Sequence, residues 1–225
     1  MDLADVPLFW GHVRERHGIL SRDAEFCKGK RSLDMAKIGL TNLWWGKLTE
    51  GSDGTPSYDG AKTFGKAVST KVDVTNNDAT LYAEDALAES DKTFNSAKVT
   101  LGVADDDDTI FAPILGHTVK DGSDGKGEMV RNANDAAPYV GLGRVITKMV
   151  NGQMAYKGEF LYKVKFSEPS QDDQTKGEKV DFKTPEIEGA ASSLANGDWS
   201  AAQTFDTKDK AVSWVKEKLK STPGA

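Results

Sequence analysis

The sequence holds one cysteine, Cys27, in 225 residues. No disulfide can form within a single chain, and no cysteine-based zinc site can be built. A reducing or redox-indifferent setting is therefore expected. No apolar run approaches the ~20 residues of a membrane-spanning helix, so no membrane partner is expected. The N-terminus lacks a basic region followed by an apolar core, so no signal peptide is expected. The expected location is the cytoplasm where the protein is made, unless it is released inside a larger particle. Basic residues are in deficit, 29 Lys and Arg against 35 Asp and Glu, for a net charge of −6. That argues against tight, nonspecific binding to a phosphate backbone. The catalytic signatures G-x-S-x-G, G-x-x-x-x-G-K-[ST] and H-E-x-x-H are missing too. Gly141-Leu142-Gly143 lacks the third glycine of a dinucleotide loop and falls within a strand pattern. The many carboxylates leave room for a glycosidase-like pair, but no constellation singles one out. The chain is expected not to be an enzyme and to need no cofactor or metal.

What is present is alternation. Charged residues make up 28% and hydrophobic ones 38%, which describes a soluble chain with a real core, in one large or two small domains. In the stretch 158–166, Phe160, Tyr162, Val164 and Phe166 point one way and Glu159, Lys163 and Lys165 the other, with Leu161 the exception. Pro169 stops this strand. A polar run, Ser170 to Gly177, leads to a second strand around Val180 and Phe182, and the unit ends in small residues from Gly189 to Ser193. Strands are also expected over 38–49, 66–74, 80–83, 97–103 and 138–150, with a short one over 199–205. Asn76-Asn77-Asp78 reads as a turn. Asn151-Gly152 between two strand-like runs predicts an antiparallel hairpin. Ala211, Trp214, Val215 and Leu219 share one face of a helix over 208–220, capped by Thr207. The fold expected is mainly β, an antiparallel sandwich or half-open barrel, with one short helix after an aspartate run and a second at the C-terminus. Its divisions are an N-terminal extension over 1–34, a β domain over 35–205 and the terminal helix and tail over 206–225.

Several polar stretches have two readings. Asp105 to Asp108 is a metal cluster or a helix start, and the apolar residues Ile110, Phe111, Ile114 and Leu115 favour the helix. Asp121 to Glu128 resembles a calcium loop but fails the EF-hand spacing, which favours a turn between strands. His117 has no histidine or cysteine near it in sequence and reads as a loop residue. Trp44 and Trp45 must face opposite sides of a strand. One enters the core; the other either lies half-exposed or meets another chain.

Three stretches resemble the major tail tube proteins of long-tailed bacteriophages. They are Met35 to Trp45 (MAKIGLTNLWW), Ala79 to Glu84 (ATLYAE) with the acidic patch behind it, and Phe166-Ser167-Glu168-Pro169 with the loop running to Thr-Lys-Gly-Glu-Lys-Val-Asp-Phe-Lys-Thr-Pro. They occur in the family's order over roughly Met35 to Ala191. The resemblance implies a structural β-sandwich subunit of hexameric rings, stacked into the tube that carries DNA to the cell. It implies partners such as the tape measure and tail terminator proteins, and double-stranded DNA that passes without specific binding. It also implies a place in the virion tail. On this view residues 1–34 are an upstream start or an arm that packs on a neighbour. Trp44, Trp45, Ser52, Asp53, Tyr58, Asp172 and Asp173 are the expected inter-subunit contacts. The loops over 50–60 and 170–177 become ordered between rings. Glu84, Asp85, Glu89 and Asp91, or the polar faces of the inner strands, are expected to line the bore and repel phosphate. The alternative is a carbohydrate- or receptor-binding β-sandwich of a virion, with Trp44-Trp45 stacking on sugar rings.

Overall fold

The computed structural model describes residues 35–51, 54–83, 86–104, 108–120, 127–171 and 184–220. All belong to one compact unit, Asp34–Ala225. The expectations for residues 1–34 and for the strand around Val180 and Phe182 lie outside the described residues. In chain order the elements are β1 (Met35–Glu50), β2 (Pro56–Tyr58), β3 (Lys62–Thr63), β4 (Ala67–Ala83), β5 (Ala86–Val103), α1 (Asp108–Leu115), β6 (Thr118–Lys120), β7 (Glu128–Val130), β8 (Tyr139–Val150), β9 (Gln153–Phe166), β10 (Glu186–Ser192), β11 (Ser200–Phe205) and α2 (Lys208–Lys218). The main sheet runs β2-β1-β8-β9-β10-β5-β4, with β3 also on β1 and β11 also on β9. Every pair is antiparallel. The fold is mainly antiparallel β and sandwich-like, as the alternation predicts.

The β8–β9 hairpin forms where Asn-Gly places it. Asn151 and Gly152 have φ of 50° and 77°, the left-handed pair that a tight hairpin turn requires. Val150 faces Gln153, and the ladder runs to Tyr139 facing Lys165. One irregularity changes which side chains go where. Val140 faces Val164, and Leu142 faces Leu161, so β9 carries an extra residue there. A bulge of this kind shifts the alternation by one. Phe160 and Tyr162 therefore face one apolar cluster, while Leu161, Val164 and Phe166 face the other. The single face expected for Phe160 to Phe166 is thus divided, and Leu161 is no exception.

The first cluster lies between the sheet and α1. It includes Leu43, Trp45, Phe64, Val99, Leu101, Leu142, Val164, Phe166 and Ile187, with Phe111, Ile114 and Leu115 of α1. α1 starts at Asp108, contains Pro113 and gives way to Gly116 at φ 83°. The second cluster lies between β1, β8, β9 and α2, and is built on Trp44, Val145, Phe160, Ala211, Val215 and Leu219. Trp44 faces Gly143 and Trp45 faces Leu142, so the adjacent indoles enter different clusters. α2 approaches closely because glycines lie beneath it. A Cβ on Gly143 would sit 2.2 Å from Val215 Cγ1, and one on Gly158 would sit 2.8 Å from Trp214 Cε3. That explains glycine within the Gly141-Leu142-Gly143 strand. Thr207 takes the N-cap backbone conformation, but its side chain makes no capping hydrogen bond.

Two expectations change. Asn76-Asn77-Asp78 does not turn the chain. β4 continues through these residues to Ala83, with Asn77 facing Thr93 and Asp78 facing Lys92. The turn-prone residues mark a register shift between Thr75 and Asn76 instead. Likewise, Gly189 to Ser192 do not end a strand unit; they form β10 itself, between β5 and β9. Small side chains let β10 fit there: a Cβ on Gly189 would sit 2.7 Å from Phe166 Cδ1.

Candidate assembly surface

The β4–β5 hairpin extends beyond the rest of the sheet. β10 reaches β5 only between Ala97 and Gly102. From Asn76 and Phe94 outward to Ala83 and Ala86, the two strands pair only with each other among the described residues. A lone two-stranded ribbon is marginal in water. Among the described residues the outer edge of β4 pairs with no strand, and neither does β1 before Leu43, whose carbonyl accepts the Phe64 N–H, on the side away from β8. Unpaired edges of this length are templates for joining another chain. Exposed Val68 and Val74 add apolar surface along β4.

The residues singled out for assembly distribute differently from expectation. Trp44 and Trp45 are 5% and 2% exposed, and Tyr58 is 4% exposed. All three are covered by this chain itself, which corrects their assignment as inter-subunit contacts. α2 is the second apolar surface that Trp44 requires, and Lys216 lies over its ring. Tyr58 packs edge-on against Phe160 and donates its O–H to the Tyr162 carbonyl at 2.8 Å. Burial pushes its phenol well above the ordinary value, with Tyr162 and Glu50 adding to the effect. Ser52, Asp53, Glu84, Asp85, Asp172 and Asp173 lie outside the described residues. Glu89 and Asp91 belong to β5, and their side chains are likewise outside the description.

The sequence reading missed a charged cluster on β8 and β9. Arg144 faces Glu159 across the ladder and bonds it through Nε at 2.7 Å and Nη2 at 2.5 Å. Lys157 holds the other Glu159 oxygen. Arg144 also donates to Thr70 of β4 at 3.1 Å. These cations hold the Glu159 carboxyl below the usual range despite the opposing effect of its burial. Lys148 faces Lys37 of β1 in the ladder. The register of the Asn-Gly hairpin would have placed Arg144 opposite Glu159 from sequence alone.

His117 is also better partnered than a loop residue. Its Nδ1 meets Asp135 Oδ2 at 2.8 Å, and its Nε2 meets Glu168. The side chain is 5% exposed. The Asp135 bond leads in raising the imidazole pKa, burial opposes it, and Glu168 adds to it. Asp135 is lowered in turn, first by His117 and then by the Asn132 N–H. The node ties the end of α1 to the segment before β8 and to the residues following β9. Beside it, Trp45, Asp59, Lys62 and His117 border a cavity of about 340 Å³. Among the described residues no cluster of His, Cys, Asp and Glu could hold a metal ion, and no helix is long and apolar enough to cross a membrane. No known family model matches the chain, and no curated protein matches it.

Proposed function

We propose that the protein is a structural subunit that assembles into hexameric rings, stacked as the tail tube of a long-tailed bacteriophage. The observation that carries this reading is the outer half of the β4–β5 hairpin, which among the described residues pairs only with itself, on a sheet with two edges left unpaired by those residues. Edges of this kind are closed when identical subunits add strand to strand around a ring. Tape measure and terminator proteins are its further partners. DNA passes through the bore without specific binding, for which the net charge of −6 is suitable. The protein acts without catalysis, in the virion tail, after assembly in the host cytoplasm. The glycan-binding alternative loses its main support, because Trp44 and Trp45 are buried within the chain.

Negative-stain electron microscopy of the purified chain at low and high concentration tests the proposal. Rings or hollow tubes are expected, with a bore near the ~20 Å width of duplex DNA. A small discrete particle at every concentration, both for the full chain and for one shortened to begin at Met35, would overturn it.

A further inference from the structure

On the sheet face that carries Leu142 and Leu161 into the first cluster, the side chains turn from apolar to charged toward the β8–β9 turn. The ladder is regular from Leu142 to Val150, so Leu142, Arg144, Ile146 and Lys148 of β8 share this face with Leu161, Glu159, Lys157 and Ala155 of β9. Lys37 of β1 is paired directly with Lys148 and joins them. Like charges in that position are unfavourable. Arg144 and Lys157 share one carboxylate, Glu159. Among the described residues neither Lys37 nor Lys148 has an ion-pair partner. The patch thus sets four cations against a single carboxylate, in a chain whose net charge is −6. Lys37 is exposed, and Lys148 and Lys157 are half-buried. Burial leads in lowering the Lys148 pKa and the Lys157 charge adds to it; Glu159 opposes, and Lys37 adds a smaller lowering. A bound anion would relieve this repulsion.

The geometry suits a row of phosphates. Lysine ammoniums are compact point charges that bind phosphate, whereas the Arg144 fork is already taken by Glu159. Lys37, Lys148 and Lys157 lie on three successive strands, across two inter-strand spacings, or about 10 Å. One strand of duplex DNA presents a charge every ~3.4 Å along its axis, so about three phosphates lie over that width. The other residues that share this end of the face by register, Leu40, Ile146 and Ala155, are aliphatic. They offer no aromatic platform for an unstacked base and no hydrogen-bonding group for a base edge. The patch therefore fits a sugar–phosphate backbone rather than a base or a nucleotide.

We propose that Lys37, Lys148 and Lys157 make a weak, sequence-independent contact with the phosphate backbone of duplex DNA. The choice of partner rests on the tail tube reading above, and it adds a cationic contact where that reading alone expects only repulsion. With two or three phosphates engaged, the logarithm of the binding constant falls by about 2–3 for each tenfold rise in salt. Phosphates look alike at every step of the duplex, so such a contact orients DNA and still lets it slide.

Fluorescence anisotropy of a labelled, mixed-sequence DNA duplex with the full-length chain, from about 20 to 200 mM salt, tests the contact. Lys37→Gln with Lys148→Gln removes the two unpaired charges and leaves Lys157 in place to hold Glu159. Near-UV circular dichroism checks that this variant folds; if it does not, the two single variants replace it. The wild type is expected to bind with the salt slope given above. The double variant is expected to bind about tenfold or more weakly at the low-salt end and to flatten the slope by about 2. Lys208→Gln with Lys210→Gln, on α2, removes the same charge elsewhere and should bind as the wild type does. No binding by the wild type at the lowest salt, wild-type affinity and slope in the Lys37–Lys148 variant, or an equal loss in the α2 variant would each overturn the contact. Electron microscopy of the same samples scores assembly separately: absence of rings and tubes overturns the tail tube reading, and the anisotropy alone decides the contact. A Lys37–Lys148 variant that binds DNA normally but no longer assembles would overturn the contact and assign the patch to a subunit interface.

Discussion

Seating α2 on the sheet depends on the absence of a side chain at Gly143. Replacement by Ala places a Cβ 2.2 Å from Val215 Cγ1, where both residues are buried. Ordinary carbon contacts need about 3.5–4.0 Å, so something must move by more than an ångström. Overpacking of this kind costs about 1–3 kcal/mol. Val215→Ala alone removes two buried methyl groups and costs about 2 kcal/mol, from about 0.8 kcal/mol per group with a cavity contribution added. If the effects were independent, the double variant would lose about 3–5 kcal/mol, the sum of those two costs. Because Val215→Ala removes the atom that Gly143→Ala strikes, the double variant should lose only about 2 kcal/mol, a favourable coupling of about 1–3 kcal/mol. Urea unfolding followed by tryptophan fluorescence measures the cycle, with Trp44 and Trp214 both in the affected cluster. Additive losses, or a Gly143→Ala cost below about 0.5 kcal/mol, would mean that α2 does not pack here as described.

Two further perturbations probe the charged groups. Glu159→Ala leaves Arg144 and Lys157 half-buried without their shared carboxylate and should cost about 1–3 kcal/mol in urea unfolding; a loss within about 0.5 kcal/mol would show the cluster to be solvent-screened. The His117 node gives a pH dependence. Its imidazole is raised above the ordinary 6.5, so its contribution is complete below that value and is lost as pH rises through the folded pKa. Asp135 is lowered below the ordinary 3.8, so its share is present above that value and is lost as pH falls through its folded pKa. The melting-temperature gap between wild type and His117→Gln should therefore be widest between about pH 4 and 6.5 and narrow at alkaline pH. A gap that widens with increasing pH would refute the doubly bonded imidazole.

Sequence legibility follows the range of the interactions. The β8–β9 hairpin was readable because Asn151-Gly152 is a local signal whose backbone requirement is specific. The buried face of α2 was readable from spacing, and Ala211, Val215 and Leu219 all meet the sheet. Asn76-Asn77-Asp78 misled because ladder pairing with Lys92 and Thr93 overrides turn preference. The partners of His117 lie 18 and 51 residues away, on segments that only the fold brings together. For Trp44, the alternation showed that a second surface was needed but could not show that α2 would supply it. The lesson for the assembly residues is physical: an aromatic pair on a strand reports two packed faces, and either face can be closed by the same chain.

That closure limits how the protein can associate. One face of the β1–β8–β9 region meets the first cluster, and the other meets α2. Face-to-face stacking of copies over this region would have to displace α2 and expose Trp44, Val215 and Leu219, which costs about 1.5–3 kcal/mol for each aliphatic side chain alone. What stays unpaired among the described residues are backbone edges, along β4 and along β1 before Leu43, and the hairpin that outruns its sheet. Edges are directional, because a strand joins another only in register and with one of two polarities. Filled faces and unpaired edges of this kind favour strand-by-strand contacts over face-to-face stacking.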